Sequence, residues 1–455
     1  MIIRQHEIKV SALQAGSEVL AHFARVVKKA LPKGAVPLRI SIPKADHSGY
    51  HCDVTAIEGG EGTAARVPES IFQFKRRETE SSDGFTAVLV VPTGVGAEIG
   101  GHAGDAGPVA KLFAAVCDRV ITHPNVVNAS DINELPENGL YVEGSVLCRL
   151  LMGTVGLQPV RNNRVLVIMD QHEDQDFVDA AINSVSAARA TYGFSCPRVV
   201  VLDPPIRLTA RYTAAGSATG DVEGLDRLCR VLDMHKGEYD AVAIASVIGV
   251  PAAIHMQYFQ SDGHMVNPWG GVEAMLTHAV SSLYDVPSAH SPMLETAAIA
   301  EQEPGIVDPR MAAEAVSLTF LQCIFKGLQK SPRILSAAEA AGRRGAITAS
   351  DVSCLIIPDG CLGLPTLAAL EQGIPVIAVR ENRNLMQTRL TDLPWQPDKF
   401  FQVENYWEAV GIVASLKAGI AASSVRRPLA ATNVTATTLR DQGVVDSPVR
   451  ALKVG

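Results

Sequence analysis

From Phe85 onward the apolar residues fall into short Val/Ile-rich runs separated by amphipathic stretches of helical length. That alternation predicts a mostly parallel sheet with helices on both faces. Strands are expected over 85–91, 119–122, 164–169, 198–202, 240–246, 286–289, 352–357 and 375–379, and helices over 109–117, 176–191, 225–235, 271–284, 310–328 and 364–372. Before that point the pattern differs. Val19, Leu20, Phe23, Val26, Val27 and Leu31 recur at helical spacing until Pro32 stops them, β-rich pieces follow at 36–42 and 50–57, and the polar stretch 75–84 reads as an exposed connection. The fold class is therefore α/β, with mostly parallel, Rossmann-like sheet units and a small N-terminal α+β unit. Four segments are expected: an α+β unit over 1–84, a glycine-loop α/β domain over 85–330, a C-terminal α/β unit over 331–420 and a flexible tail over 421–455.

Composition narrows the class. A chain of 455 residues that is 47% apolar and 19% charged buries a large core, and its net charge of −8 is spread without a basic block. Nucleic acid is excluded as a partner on that ground. The eight cysteines form no C-x-x-C pair, which predicts reduced thiols. No secretory leader or membrane-length apolar window is visible, so a soluble, cytoplasmic protein without membrane contact is expected. Self-association is left open.

The candidate chemistry centres on the run PTGVGAEIGGHAGDAGP, from Pro92 to Pro108, between a predicted strand and a predicted helix. Its glycines permit positive φ and close approach of a ligand, so Thr93, Gly94, Gly96, Gly100 and Gly101 are read as substrate-binding, and His102 and Asp105 as acid–base groups. In open α/β sheets ligands sit beyond the carboxyl ends of strands, which adds Asn125 and Asn128 after the second strand, His290 in SAHSP, and Arg380 and Asn382 after the last. VNPWGGVE places Gly270, Gly271 and Glu273 at a helix start, suited to an anion and to a catalytic carboxylate. Cys361 reads as an inert thiol rather than a nucleophile. NAD or flavin is not expected, because the glycine spacing G-x-G-x-x-x-G is one residue too long and the next strand ends in His123 rather than an acid. No cofactor is predicted. A divalent metal remains open, with His47, His51, Cys52 and Asp53 as one cluster.

Together with NPWGGVEAMLTH, SAHSP and GCLGLPTLAALEQGIPVIAVREN, the glycine run resembles a bacterial and archaeal family known only as a domain of unknown function, number 3326. The likeness spans roughly 86–384. It implies that these loops form one shared site without naming its reaction. The closing unit is also loosely similar to the donor half of two-domain glycosyltransferases. The expected function is a small-metabolite enzyme using acid–base chemistry in a glycine-lined cleft on an anionic or carbonyl-containing substrate, as a lyase, dehydratase or cyclodehydratase. The alternatives are a transferase with a nucleotide-sugar or other phosphorylated donor, and a non-catalytic metabolite-binding protein.

Overall fold

Two sheets organise the chain, and the sequence passes between them more than once. The computed structural model describes residues 1–13, 18–59, 70–296, 299, 305–315, 319–429, 431, 432, 434–440 and 443–448. The first sheet is wholly parallel. Its strands lie in the order Gly139–Tyr141, Arg119–Thr122, Thr86–Leu89, Val352–Pro358, Val376–Val379 and Phe400–Val403. Counted by appearance in the chain, that order is 3-2-1-4-5-6. The strands Thr86–Leu89, Val352–Pro358 and Val376–Val379 are buried at every residue, which explains why they read as continuous apolar runs rather than alternating ones. The helices Gly107–Ala114 and Tyr406–Lys417 pack together against it, and Leu364–Gln372 packs on it beside Gly144–Leu151.

The second sheet is mixed and curled. Val199–Leu202, Val165–Asp170, Ala241–Gly249 and Ser288–Met293 run parallel, and Arg207–Tyr212 continues from the far end of Ala241–Gly249 into an antiparallel set. That set contains Ala218–Glu223, Ile2–Val10, Gly49–Glu58 and Val36–Asp46. The expected N-terminal unit is thus hydrogen-bonded into the same sheet as residues from the middle of the chain. Its helix Val19–Ala30 buries Val19, Leu20, Phe23 and Val27 in the larger hydrophobic core. Strand Val36–Asp46 also pairs with Leu362–Gly363, directly after the parallel strand Val352–Pro358. This pairing brings the N-terminal strand to the carboxyl edge of the parallel sheet.

Two expectations are corrected here, and a third falls partly outside the described residues. The helix expected over 310–328 is interrupted into Ala312–Ala315 and Leu321–Lys330, with residues 316–318 outside the described residues. Arg207–Tyr212 and Ala218–Glu223 form an antiparallel pair where no strand was predicted. The segment expected as a flexible tail is partly outside the described residues, and its described part includes the paired strands Thr435–Arg440 and Gly443–Pro448.

Candidate functional site

The loops leaving Thr86–Leu89 and Val352–Pro358 diverge at the carboxyl edge of the parallel sheet, and between them opens a cavity of about 230 Å³. The glycine loop supplies Pro92, Thr93, Gly94 and Val95, and the other exit supplies Cys361 to Pro365. Facing them is the helix Gly270–Tyr284. It buries Val272, Met275, Leu276, Ala279 and Val280 against the mixed sheet and turns Gly270, Glu273, Ala274, Thr277 and His278 to the cavity, the division expected of a 3.6-residue period. Its first turn packs tightly on the glycine loop and on strand Ala218–Glu223: a Cβ on Gly270 would fall 2.6 Å from Thr93 Cγ2, and one on Gly271 would fall 2.2 Å from the Ala218 carbonyl oxygen. Only glycine permits that approach.

Titratable side chains collect on these walls. His290, on strand Ser288–Met293, is fully buried on its side chain and shares a 2.7 Å hydrogen bond between Nε2 and Ser246 Oγ. Its Nδ1 lies 3.5 Å from Glu273 Oε2, and among the described residues it makes no hydrogen bond. Glu273 keeps 24% of its side chain accessible and lines the cavity, so the line Ser246–His290–Glu273 runs from the core outward to a reachable carboxylate. Glu143 caps the helix Gly144–Leu151 by accepting from the Ser145 and Val146 N–H groups, and its Oε1 is 2.5 Å from His278 Nδ1 in a bent ion-pair contact. Burial pushes the Glu143 carboxyl up, but the His278 charge and the donors of His278 and Ser145 outweigh it and hold it below its usual range. His123 follows strand Arg119–Thr122 and accepts the Val91 N–H on Nε2 at 3.2 Å. Burial drives it down to about 4, so the ring is neutral with its proton on Nδ1.

One wall comes from a part of the chain with no glycine motif. Arg39, in strand Val36–Asp46, lines the cavity half-buried, with Nη2 donating to the Thr93 carbonyl over 3.4 Å. Neither Arg39 nor Ser246 stands out in the sequence. The Glu143–His278 pair joins residues 135 apart, and only the position of His278 on the same helix face as Glu273 could have signalled it.

Of the residues singled out from the sequence, Thr93, Gly94, Gly101, Asn125, Asn128, Gly270, Glu273 and His290 line this cavity. Asn125 also ties the loop down by donating to the Val91 and Gly100 carbonyls, and Asn128 donates to Tyr141 Oη. Gly96, Gly100 and Gly271 support the loops without lining the space. His102 does not face the cavity. It is 3% exposed and its Nδ1 is 2.8 Å from Tyr258 Oη; burial lowers its proton affinity. Asp105 accepts the Gly100 N–H and closes the loop, and burial raises its carboxyl to about 7. Arg380 points to solvent, paired with Glu404 at 3.1 Å. Asn382 is buried and clamps the backbone of Ile99 while donating to Tyr406 Oη, a structural bond between the glycine loop and the closing unit. Cys361 is buried and its thiol is pushed far up by burial, which suits an inert group. In the N-terminal cluster His51 binds Asp46 and Cys52 is buried. Among the described residues, no three His, Cys, Asp or Glu side chains are placed to hold a metal ion.

Beside the cavity lies a second polar cluster. Glu314 accepts from the Ala103 N–H and from Asn267, whose amide also donates weakly to Tyr258 Oη. Burial raises Glu314 to about 7. No motif marks this residue, which sits in the four-residue helix Ala312–Ala315.

Residues 86–426 match a family described as a protein of unknown function, DUF3326, a span reaching beyond Asn384. An "Uncharacterized lipoprotein" of Synechococcus sp. is 37% identical over 340 residues, which is 74% of this chain and 91% of the relative. No solved structure matches the chain. The description of the Synechococcus relative as a lipoprotein overturns the expectation of a cytoplasmic protein, and neither comparison supports the descriptions lyase, dehydratase or cyclase. Among the described residues no helix is long and apolar enough to cross a membrane.

Proposed function

This chain belongs to the DUF3326 family of proteins of unknown function, and we propose that it is an enzyme that moves protons on a small polar metabolite bound beside the Gly270 helix. The observation that carries this reading is the Ser246–His290–Glu273 line, which ends in the one carboxylate of the three groups that reaches the cavity. Glu273 takes or gives the proton. His290, held at Nε2 by Ser246, presents Nδ1 to the carboxylate. Across the space the neutral His123 offers its Nδ1–H to oxygen that gains charge during the reaction.

A second reading has its own support. Its support is the strand order 3-2-1-4-5-6 of the parallel sheet, with the cavity where that order reverses, a place suited to a phosphorylated ligand. A transferase with a nucleotide donor would use the same loops. The volume of about 230 Å³ favours the smaller substrate, since clefts for drug-sized ligands span roughly 300–1,000 Å³. Thermal unfolding separates the two. Small 2-oxo and hydroxy acids are expected to raise the melting temperature and nucleotides or nucleotide sugars to leave it unchanged; the reverse pattern moves the assignment to the transferase.

The Synechococcus relative also carries a proposal of location: this protein is attached to a membrane. Fractionated cells producing it should then yield it in the membrane pellet, and recovery in the soluble fraction would refute the transfer.

A further inference from the structure

Arg39 is a cation that the fold places in the cavity and leaves almost unpaired. A guanidinium carries five N–H donors. Among the described residues its one hydrogen bond is the long contact to the Thr93 carbonyl, and no carboxylate lies within the 4.0 Å of an ion pair. Asp53, on the neighbouring strand Gly49–Glu58, attracts the guanidinium from beyond ion-pair distance, and burial raises its carboxyl to about 6. The cavity's own carboxylates face other partners: Glu143 faces His278 and Glu273 faces His290. A half-buried guanidinium with one long hydrogen bond leaves most of its donors to be satisfied by whatever occupies the cavity.

The surroundings suit a bound anion. Gly363, paired with Ser41 two residues along the same strand, is the N-cap of the helix Leu364–Gln372. That helix has no side-chain cap, and its Leu364 and Pro365 line the cavity. On the other side Thr93, which Arg39 touches, packs against Gly270, three residues before Glu273. The cation and the proposed proton-transfer group therefore flank one small space through a single bridging residue.

We infer that the cavity holds an oxyanion of its substrate, a carboxylate or a phosphate, against the Arg39 guanidinium. This rests on the proton-transfer reading and names its substrate class. The planar fork of donors matches either group in two parallel hydrogen bonds.

Thermal unfolding and calorimetry of the full chain test the inference, with inorganic phosphate in one arm and acetate and malonate in the other. At least one arm should stabilise the wild type, and the arm that does so identifies the anion. Arg39→Gln should weaken that binding on the order of 10- to 100-fold. Without anion it should be at least as stable as the wild type, because an unpaired charge is removed. Glu273→Gln should keep the response. No response in the wild type, an equal response in Arg39→Gln, or a destabilised Arg39→Gln each overturns the inference, the last by showing that the guanidinium is structural. These readouts do not involve turnover, so failure of the anion site leaves the role of Glu273 standing, and dispensability of Glu273 leaves the anion site standing.

Discussion

Glu273→Gln is expected to slow turnover on the order of 10²–10⁴-fold, the usual contribution of a positioned acid or base, while the protein stays folded. The amide keeps the shape and can still sit near His290, but it cannot accept a proton. The loss should fall on kcat rather than KM, because Glu273 is assigned to the chemical step and not to holding the substrate. His290→Ala should retain more activity than Glu273→Gln, since the imidazole lies beside the carboxylate without taking the proton. Steady-state kinetics across pH checks both. Full activity in Glu273→Gln would remove the carboxylate from the mechanism, and loss of folding in that variant would make it a structural group.

His278→Ala should be the most destabilising of the single changes around the cavity, by about 3–5 kcal/mol, because it strands the buried Glu143 carboxylate without its partner. Its imidazole also covers Gly144, where a Cβ would fall 2.9 Å from His278 Cε1, so packing is lost with the charge. The effect should depend on pH with a definite sign. Glu143 titrates below its ordinary value in the folded protein, so the stability it contributes is present above the unfolded pKa and fades as pH falls through the lower folded value. Urea unfolding should therefore show a wide gap between wild type and variant at neutral pH that narrows in acid. A gap that stays constant with pH would assign the cost to packing alone.

The parallel sheet is legible in the sequence because its central strands are buried on both faces and leave unbroken apolar runs such as Val376–Val379. Strands exposed on one side are harder to see. Arg207–Tyr212 alternates exposed Arg207, Thr209 and Arg211 with buried neighbours, and the following Ala/Gly/Ser stretch reads as a loop until Ala218–Glu223 pairs with it. Site residues divide in the same way. Thr93, Gly270 and Glu273 sit in or beside glycine turns, and those turns mark close approach of backbone, whereas His290, expected after a strand, lies inside one, Ser288–Met293. Arg39 and Ser246 lie within strands whose local pattern explains them fully, so only tertiary pairing reveals what they face. His102 shows the opposite hazard. Its neighbours Gly101, Ala103 and Gly104 offer no packing volume, yet Tyr258, 156 residues away, supplies both a ring and a hydroxyl. Arg380 likewise looks available until Glu404 is placed beside it.

Solvent deuterium exchange tests most directly whether this cavity performs chemistry. The protein would be incubated in D₂O with small 2-oxo acids, hydroxy acids and phosphorylated acids, and each compound followed by proton NMR and mass. At least one compound that raises the melting temperature is predicted to acquire deuterium at carbon or to be converted, at a rate proportional to enzyme. If every compound that binds is recovered unlabelled and unchanged, the cavity is a binding site and the proton-transfer account is contradicted.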